Sequence, residues 1–375
     1  MTSEIISTPP LSGGLWDDDA ADDGMVAVAT PVDEADLERR TGRVELPDHG
    51  LRIDKWLAQG HPEFSRGYFQ SLLEAGAVWV NGRQVRKASA RVSVGDEVVA
   101  ELRPTAQASA FVPEPMALPV VFEDEHLIVI DKPAGMVVHP AAGHWRGTLL
   151  NGLLAHHAGA SVLPRAGIVH RLDKDTSGLM VVGKTQVAVD ALVRAIAARD
   201  VHRVYLALAH GPWRGEPERW VDQAIGRDPR NRLRMAVLGS GAGGARPAQT
   251  RVRLVDAANG WALVGCKLHT GRTHQIRVHM AWLGCPLVGD SLYGGRPALG
   301  LQRQALHAHR LGLNHPVTGR WMGFESPLPL DLAEAAAEAG LRYNANCLWS
   351  VEAGPPDAMD GAYDPAALIP RGRGQ

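Results

Sequence analysis

Three stretches of the chain concentrate residue types that can do chemistry. The densest is Gly167-Ile168-Val169-His170-Arg171-Leu172-Asp173-Lys174-Asp175-Thr176-Ser177-Gly178-Leu179. An apolar pair leads into a polar run, and Ser177-Gly178 leads out into the apolar run Leu179 to Val182. That pattern puts Asp173 on a loop between two buried elements, a common place for a catalytic carboxylate on a rigid scaffold. By residue type alone, Asp173 and Asp175 serve equally well as turn caps.

The second stretch is Leu268-His269-Thr270-Gly271-Arg272-Thr273-His274-Gln275-Ile276-Arg277-Val278-His279. Thr273 is the predicted N-cap of a helix running to Leu283, with Gly284 as its stop and Pro286 just beyond. Alternation of Ile276, Val278 and Met280 also suits a strand, but Ala281-Trp282-Leu283 breaks that period. On the helix, His274, Arg277 and Ala281 share a face, so Arg277 points where its apolar neighbours go. An arginine facing a core needs a carboxylate, and Asp173 is the candidate. The third stretch, Arg203-Val204-Tyr205-Leu206-Ala207-Leu208, reads as a strand with Arg203 and Tyr205 on one face. An aromatic beside basic groups suits stacking of a nucleobase, although a core tyrosine has the same signature.

These stretches must be positioned by the elements around them. Residues 49–104 read as a compact module. A short helix is predicted over Arg52 to Ala58. A second is capped by Ser65, carries Tyr68, Phe69, Leu72 and Leu73 at helical spacing, and stops at Gly76. Val78-Trp79-Val80 is a predicted strand, and Asn81-Gly82 the dipeptide of a type I′ hairpin turn. Val92, Val94, Val98 and Val99 around Gly95-Asp96 predict a further strand, turn and strand. Beyond the module, strand-like runs occur at 127–130, 179–182, 204–208, 250–254 and 263–264, and helical ones at 148–156 and 185–198. They do not alternate strictly as strand and helix. The expected class is therefore α+β, with a mixed, mostly antiparallel sheet and a small N-terminal α/β domain. Gly239-Ser240-Gly241-Ala242-Gly243-Gly244 fits a dinucleotide fingerprint by spacing only. Arg246-Pro247 and a strand-like stretch follow it, where that fingerprint requires a helix, so a hairpin loop is expected.

The chain has 375 residues, 45% apolar and 21% charged, which fits two or three globular domains and excludes wholesale disorder. It contains no apolar run of about 18 residues for a membrane span. No basic-then-apolar secretory signal opens it. Three cysteines without a C-x-x-C pair argue against a disulfide framework or a cysteine zinc site, and point to the cytoplasm. His307 and His309 lack a nearby third ligand, so no metal is expected. The net charge of −2 conceals segregation: residues 1–38 hold ten acids and no Lys or Arg, leaving the remainder at +8. A basic body of this kind suits a polyanion. The expected organisation is a disordered acidic tail at 1–48, the module at 49–104, a linker at 105–118, a catalytic domain at 119–343 and a loose tail at 344–375.

The residues Arg52, Asp54-Lys55, Ser65-Arg66, Gln70, Gly76, Val78, Val80-Asn81-Gly82, Lys87 and Gly95-Asp96 resemble the S-four-type RNA-binding domain. That resemblance implies RNA contacts from Arg52, Lys55, Arg66 and Lys87. The three chemical stretches, in their order, resemble the RluA/RluD-type pseudouridine synthases across nearly all of residues 49–330. The likeness extends to Ile130-Asp131-Lys132-Pro133-Ala134-Gly135, Val138-His139-Pro140, Gly147 to Asn151, Gly289-Asp290, Tyr293-Gly294-Gly295, Leu306-His307-Ala308, His315-Pro316 and Pro327-Leu328-Pro329. It is greatest to the RluD branch.

The resemblance implies an enzyme that breaks the uridine glycosidic bond, turns the uracil and rejoins it through C5, with neither metal nor organic cofactor. Asp173 matches the family's essential aspartate, Tyr205 the tyrosine that stacks on the target base, and Arg171 the residue that fills the gap left by an extruded nucleotide. Arg277 would hold Asp173 ionised and in one rotamer. The basic run Arg227, Arg230, Arg232 and Arg234 would meet phosphates. The implied partner is large-subunit ribosomal RNA or the large subunit, with the helix 69 stem-loop as target and a monomeric enzyme. The alternatives are an RluC-like synthase acting on other uridines of that RNA, or a non-catalytic assembly factor. The latter would need a damaged site, yet Asp173, Tyr205 and Arg277 are all present.

Overall fold

A computed structural model describes residues 38–62, 64–102, 108–141, 144–239 and 243–351. The acidic segment before residue 38, the middle of the glycine-rich loop at 240–242 and the segment after residue 351 lie outside the described residues. The described chain divides into two compact units, one of residues 38–112 with 140–146, the other of 113–139 with 147–351.

The first unit is a four-stranded antiparallel sheet with two helices. Its strands are β1 (Glu38–Arg43), β2 (Val78–Val80), β3 (Arg83–Gln84) and β4 (Glu97–Leu102), in spatial order β1-β4-β2-β3. The helices are α1 (Ile53–Gly60) and α2 (Arg66–Glu74). Ser65 caps α2 through its hydroxyl, which accepts from the Tyr68 N–H at 3.2 Å. Phe69, Leu72 and Leu73 of α2 pack with Ile53 and Leu57 of α1 against Val78, Val98 and Ala100 of the sheet. Asn81 and Gly82 both have positive φ, 50° and 75°, as the type I′ turn between β2 and β3 requires.

Two expectations fail here. Residues 38–43, assigned to the tail, form an edge strand, because their backbone pairs with β4 from Glu38↔Leu102 to Arg43↔Glu97 and Arg39 bridges Glu101 at 2.9 Å. An exposed edge strand has no apolar alternation to announce it. Val92 and Val94 make no strand of their own; only an isolated bridge, Arg52↔Arg91, marks that region.

Asp54 at the start of α1 is buried and gathers three side chains. It accepts from Arg52 at 3.0 Å through both oxygens, from Arg66 at 2.9 Å and from Gln70 at 2.8 Å. The Arg52 hydrogen bonds hold its carboxyl far below the usual range, with Gln70 and Arg66 helping against the opposing effect of burial. Its contribution to stability is thus present above the ordinary Asp range and lost as the pH falls through the lowered value. Asp54→Ala is expected to cost this unit about 2 kcal/mol. A fully buried pair would cost more, but Arg52 and Arg66 are half exposed and regain water. Urea unfolding followed by the fluorescence of Trp56 and Trp79 measures it.

The second unit is built on a nine-stranded sheet. In chain order its strands are β5 (Val120–Glu123), β6 (Leu127–Lys132), β7 (Ser177–Gly183), β8 (His202–His210), β9 (Glu218–Asp222), β12 (Gln249–Ala258), β13 (Trp261–Leu268), β14 (Leu306–Asn314) and β15 (Trp321–Glu325). A separate two-stranded ribbon, β10 (Ile225–Asp228) and β11 (Asn231–Val237), projects between β9 and β12 in sequence. The spatial order is β5-β6-β7-β14-β8-β13-β12-β9, with β15 added on β14. Every pairing is antiparallel except β7 with β14, which meet over His307↔Ser177 and Ala308↔Gly178.

The central strands are buried on both faces, which is why they read as continuous apolar runs. On one face Ile128, Ile130, Met180, Val182, Tyr205 and Ala207 meet Leu149, Leu150 and Leu153 of α3 (Leu149–His156) and Ile276 and Met280 of α5 (Gln275–Trp282). On the other, Val129 and Val181 meet Val189 and Leu192 of α4 (Gln186–Ala198), and Leu206 and Leu263 meet Leu332 and Ala335 of α6 (Leu330–Glu338). Thr148 and Asn151 form a capping box at the start of α3, and Thr185 caps α4.

The expected boundaries shift here too. Residues 113–118 belong to this unit, not to a linker, because the Glu114 N–H donates to Asn151 O at 3.0 Å and Leu118 packs on the core. Likewise Leu348, Trp349 and Val351 are buried, Leu348 and Trp349 against Val204 and Leu263, so residues 344–351 are part of the fold. Among the described residues no helix is long and apolar enough to cross a membrane.

Candidate active site

Asp173 lies on the loop that enters β7, and that loop is tied down from several sides. Lys132, at the end of β6 and fully buried, donates to the carbonyls of Pro133, Met136 and Lys174, each at 2.9 Å. Burial draws its amine down to about 7. Arg303 donates to Asp175 O at 2.9 Å, and the Thr176 N–H to Asp173 O at 3.1 Å. Gly178 has φ +112°, and a Cβ there would lie 2.3 Å from Ala308 O, so only glycine lets β7 meet β14 at this point.

The helix α5 carries the second group. The expected cap, Thr273, is not the N-cap; His274 is, in the left-handed conformation at φ 56°. The Gln275 side chain explains the substitution. Its oxygen accepts from Arg272 N at 3.0 Å, and its amide donates to Gln249 O and Thr250 Oγ1 at 2.9 Å, which docks the helix on β12. Gly284 stops the helix as expected, with φ +78°.

Arg277 of α5 points into the sheet face and donates through Nη1 to Asp173 Oδ2 at 3.0 Å. This is the pairing its place in the sequence predicts. Sequence reasoning missed the stronger contact: Asp290 takes the other edge of the guanidinium, Nε to Oδ2 at 2.8 Å and Nη2 to Oδ1 at 3.0 Å. Arg277 therefore serves as a fixed fork between two carboxylates. Tyr293 lies under it, with the guanidinium 5.0 Å from the ring centroid. The Tyr293 hydroxyl accepts from the Met235 N–H at 2.9 Å and meets His274 Nδ1 at 2.8 Å, and His274 Nε2 is 4.0 Å from Asp173 Oδ1. Asp290 and Tyr293 fall within a stretch already singled out, but nothing in their spacing says which side chain they serve.

Burial by itself would raise the Asp173 carboxyl, yet the fields of His274, Arg277 and Arg171 leave it below the ordinary range. Burial pushes the Tyr205 phenol the other way, up to about 12, so at neutral pH it is a hydrogen-bond donor and an apolar ring. The structure thus brings together Asp173, Arg277 and, within reach of the Asp173 charge, Tyr205. Arg171 is exposed beside them. Arg227, Arg230 and Arg234 lie on the β10–β11 ribbon, whose Met235 hydrogen-bonds Tyr293, and Arg234 bridges Asp228 at 2.5 Å; of Arg232 only the backbone position is described. Arg52 and Arg66 share Asp54, while Lys55 and Lys87 are exposed. Among the described residues no cluster of three or more His, Cys, Asp or Glu could hold a metal ion.

The arrangement offers one ionised carboxylate in a fixed position, an aromatic ring and a neutral proton donor. The profile of the RNA pseudouridylate synthase family matches residues 126–282, and that of the S4 domain residues 51–98. The chain is 45% identical over 342 residues to the ribosomal large subunit pseudouridine synthase D of Neisseria meningitidis serogroup B, covering 86% of this chain and 88% of that one. To the protein of the same name from Nitrosomonas europaea it is 45% identical over 303 residues, or 78% and 86% of the two chains. To an uncharacterized RNA pseudouridine synthase of Chloroflexus aurantiacus it is 49% identical over 313 residues, or 80% and 94%.

Proposed function

Since the chain belongs to the RNA pseudouridylate synthase family and is an RNA pseudouridine synthase, we propose that it modifies large-subunit ribosomal RNA, at uridines of the helix 69 stem-loop, with Asp173 as the essential carboxylate. The observation that carries the site is the Asp173–Arg277 contact at 3.0 Å, with Arg277 held in turn by Asp290. The target rests on the two relatives named for the large subunit, which this chain spans over 88% and 86% of their length.

In this reading the target uridine leaves its stack and its uracil lies on the Tyr205 ring, while Arg171 occupies the vacated space. The C1′–N1 bond breaks and a C1′–C5 bond forms; N1 gains a proton and C5 gives one up. Asp173 works at the ribose–base junction and must be ionised to do so. Lys55 and Lys87 of the N-terminal unit and the arginines of the β10–β11 ribbon meet the phosphate backbone, which makes binding depend on salt. The enzyme acts as a monomer in the cytoplasm.

Incubating the protein with large-subunit rRNA and mapping carbodiimide-resistant adducts tests the proposal. Adducts are expected in the helix 69 loop. Adducts confined to other uridines of that RNA would point to the RluC-like alternative, and none at all would overturn the target.

A pH profile follows from the lowered Asp173 carboxyl. The single-turnover rate should stay level from about pH 8 down to about pH 4, where an ordinary Asp titrates, and fall only below it. The stability held by the Asp173–Arg277 pair follows the same sign, present above the unfolded-state value and lost as the pH drops through the folded one. A rate that halves near neutral pH would contradict an ionised Asp173 as the controlling group.

A further inference from the structure

Three arginines are buried in the described chain: Arg203, Arg277 and Arg310. Arg277 has two carboxylates, and Arg310 has Glu325 at 2.8 Å and the Trp349 carbonyl. Arg203 has no carboxylate and no hydrogen-bond acceptor among the described residues, and its Nε is buried without a partner. It is 7% exposed. Burial draws its guanidinium below the ordinary value, but an arginine does not deprotonate in a protein. A buried, uncompensated cation is among the costliest features a fold can carry. Rules broken in this way concentrate at sites that receive a ligand.

The neighbours of Arg203 supply no anion. It stands two residues from Tyr205 on β8, close enough for each charge to be felt by the other. The phenol is neutral, and so is buried His170, which burial and the nearby Arg203 charge hold down at about 3. Gly271, an exposed residue, lies over the outer end of the fork: a Cβ built there would come 3.0 Å from Arg203 Nη1. The missing side chain is what keeps that nitrogen approachable from the loop.

Resting on the reading of this chain as an RNA pseudouridine synthase, we infer that Arg203 is the seat for a backbone phosphate next to the uridine that stacks on Tyr205. Phosphate is the anion RNA carries, and the planar fork of a guanidinium matches two of its oxygens. Arg203 is thus a binding residue whose counter-charge arrives with the substrate.

The test compares wild type with Arg203→Met, Arg203→Lys and Gly271→Ala on a large-subunit rRNA stem-loop that the wild type modifies. Arg203→Met should melt no lower than wild type, since an apolar side chain replaces an unpaired charge. It should bind the RNA at least about tenfold more weakly, with the slope of log K against log salt reduced by about 0.7–0.9. Arg203→Lys should fall between, and Gly271→Ala should weaken binding without changing the fold. Wild type given RNAs with single methylphosphonate linkages should show the same loss at one linkage flanking the target uridine, and Arg203→Met should lose nothing further there. Lower thermal stability with unchanged RNA affinity would make Arg203 a structural residue and overturn the inference, as would wild type indifferent to every flanking methylphosphonate. Wild type that forms no pseudouridine in any large-subunit rRNA would instead remove the proposed function, and the melting comparison would still judge the unpaired guanidinium.

Discussion

Asp173→Asn should bind RNA about as tightly as the wild type and form pseudouridine at less than about a thousandth of its rate, a loss of roughly 4 kcal/mol in transition-state stabilisation. The amide has the size of the carboxyl and an oxygen that can still accept from Arg277 Nη1, so the loop and the rotamer are kept. What disappears is the negative charge that the surrounding cations hold in place. Arg277 remains bound to Asp290 through two hydrogen bonds, so the fold should lose little. Tritium release from RNA labelled at uridine C5 measures the rate, and a gel-shift titration the binding. Turnover above a tenth of wild type in the pure variant would remove Asp173 from the reaction.

Arg277→Ala should have the larger effect on stability. It strips the counter-charge from Asp173 and from Asp290 together, and Asp290 is only 2% exposed. Leaving buried charges unpaired costs roughly 3–5 kcal/mol. The pH dependence gives the cause away. Without the guanidinium the Asp173 carboxyl loses one of the cations that oppose its burial and rises from its lowered value, so the folded variant takes up protons more readily than wild type as the pH falls. Its deficit against wild type should therefore be smaller at about pH 4 than at about pH 7.5. Adding Asp290→Asn to Arg277→Ala should recover part of the loss. Denaturant unfolding at the two pH values decides it, and a deficit independent of pH would mean that lost packing, not stranded charge, is responsible.

Much of this site can be read from local pattern. Arg277 recurs at core-facing spacing on a helix, and the need for a carboxylate follows from burial alone, so its pairing with Asp173 is legible. The clamp by Asp290 is not, because the requirement for a second carboxylate appears only when the geometry shows two edges of the fork to be filled. His274 takes the cap position from Thr273 because Gln275 folds back on Arg272, a side-chain choice that propensity does not register. The strand β1 is invisible for a different reason: its residues bury almost nothing, and it exists through backbone pairing with a strand more than fifty residues away. Long apolar runs such as Leu179 to Val182 are found reliably because burial on both faces leaves them no other reading.

The junction between β7 and β14 has a bearing on the life history of the chain. It is the sheet's lone parallel seam, and it joins residues 130 positions apart, His307 to Ser177. Asp173 stands on one bank of it and Arg277 with Asp290 on the other. During synthesis the ribosome must deliver β14 before the two banks can close, and closure over so long a loop is among the slower steps a chain takes. The seam between β7 and β14 can thus form only after most of the chain's length has been translated.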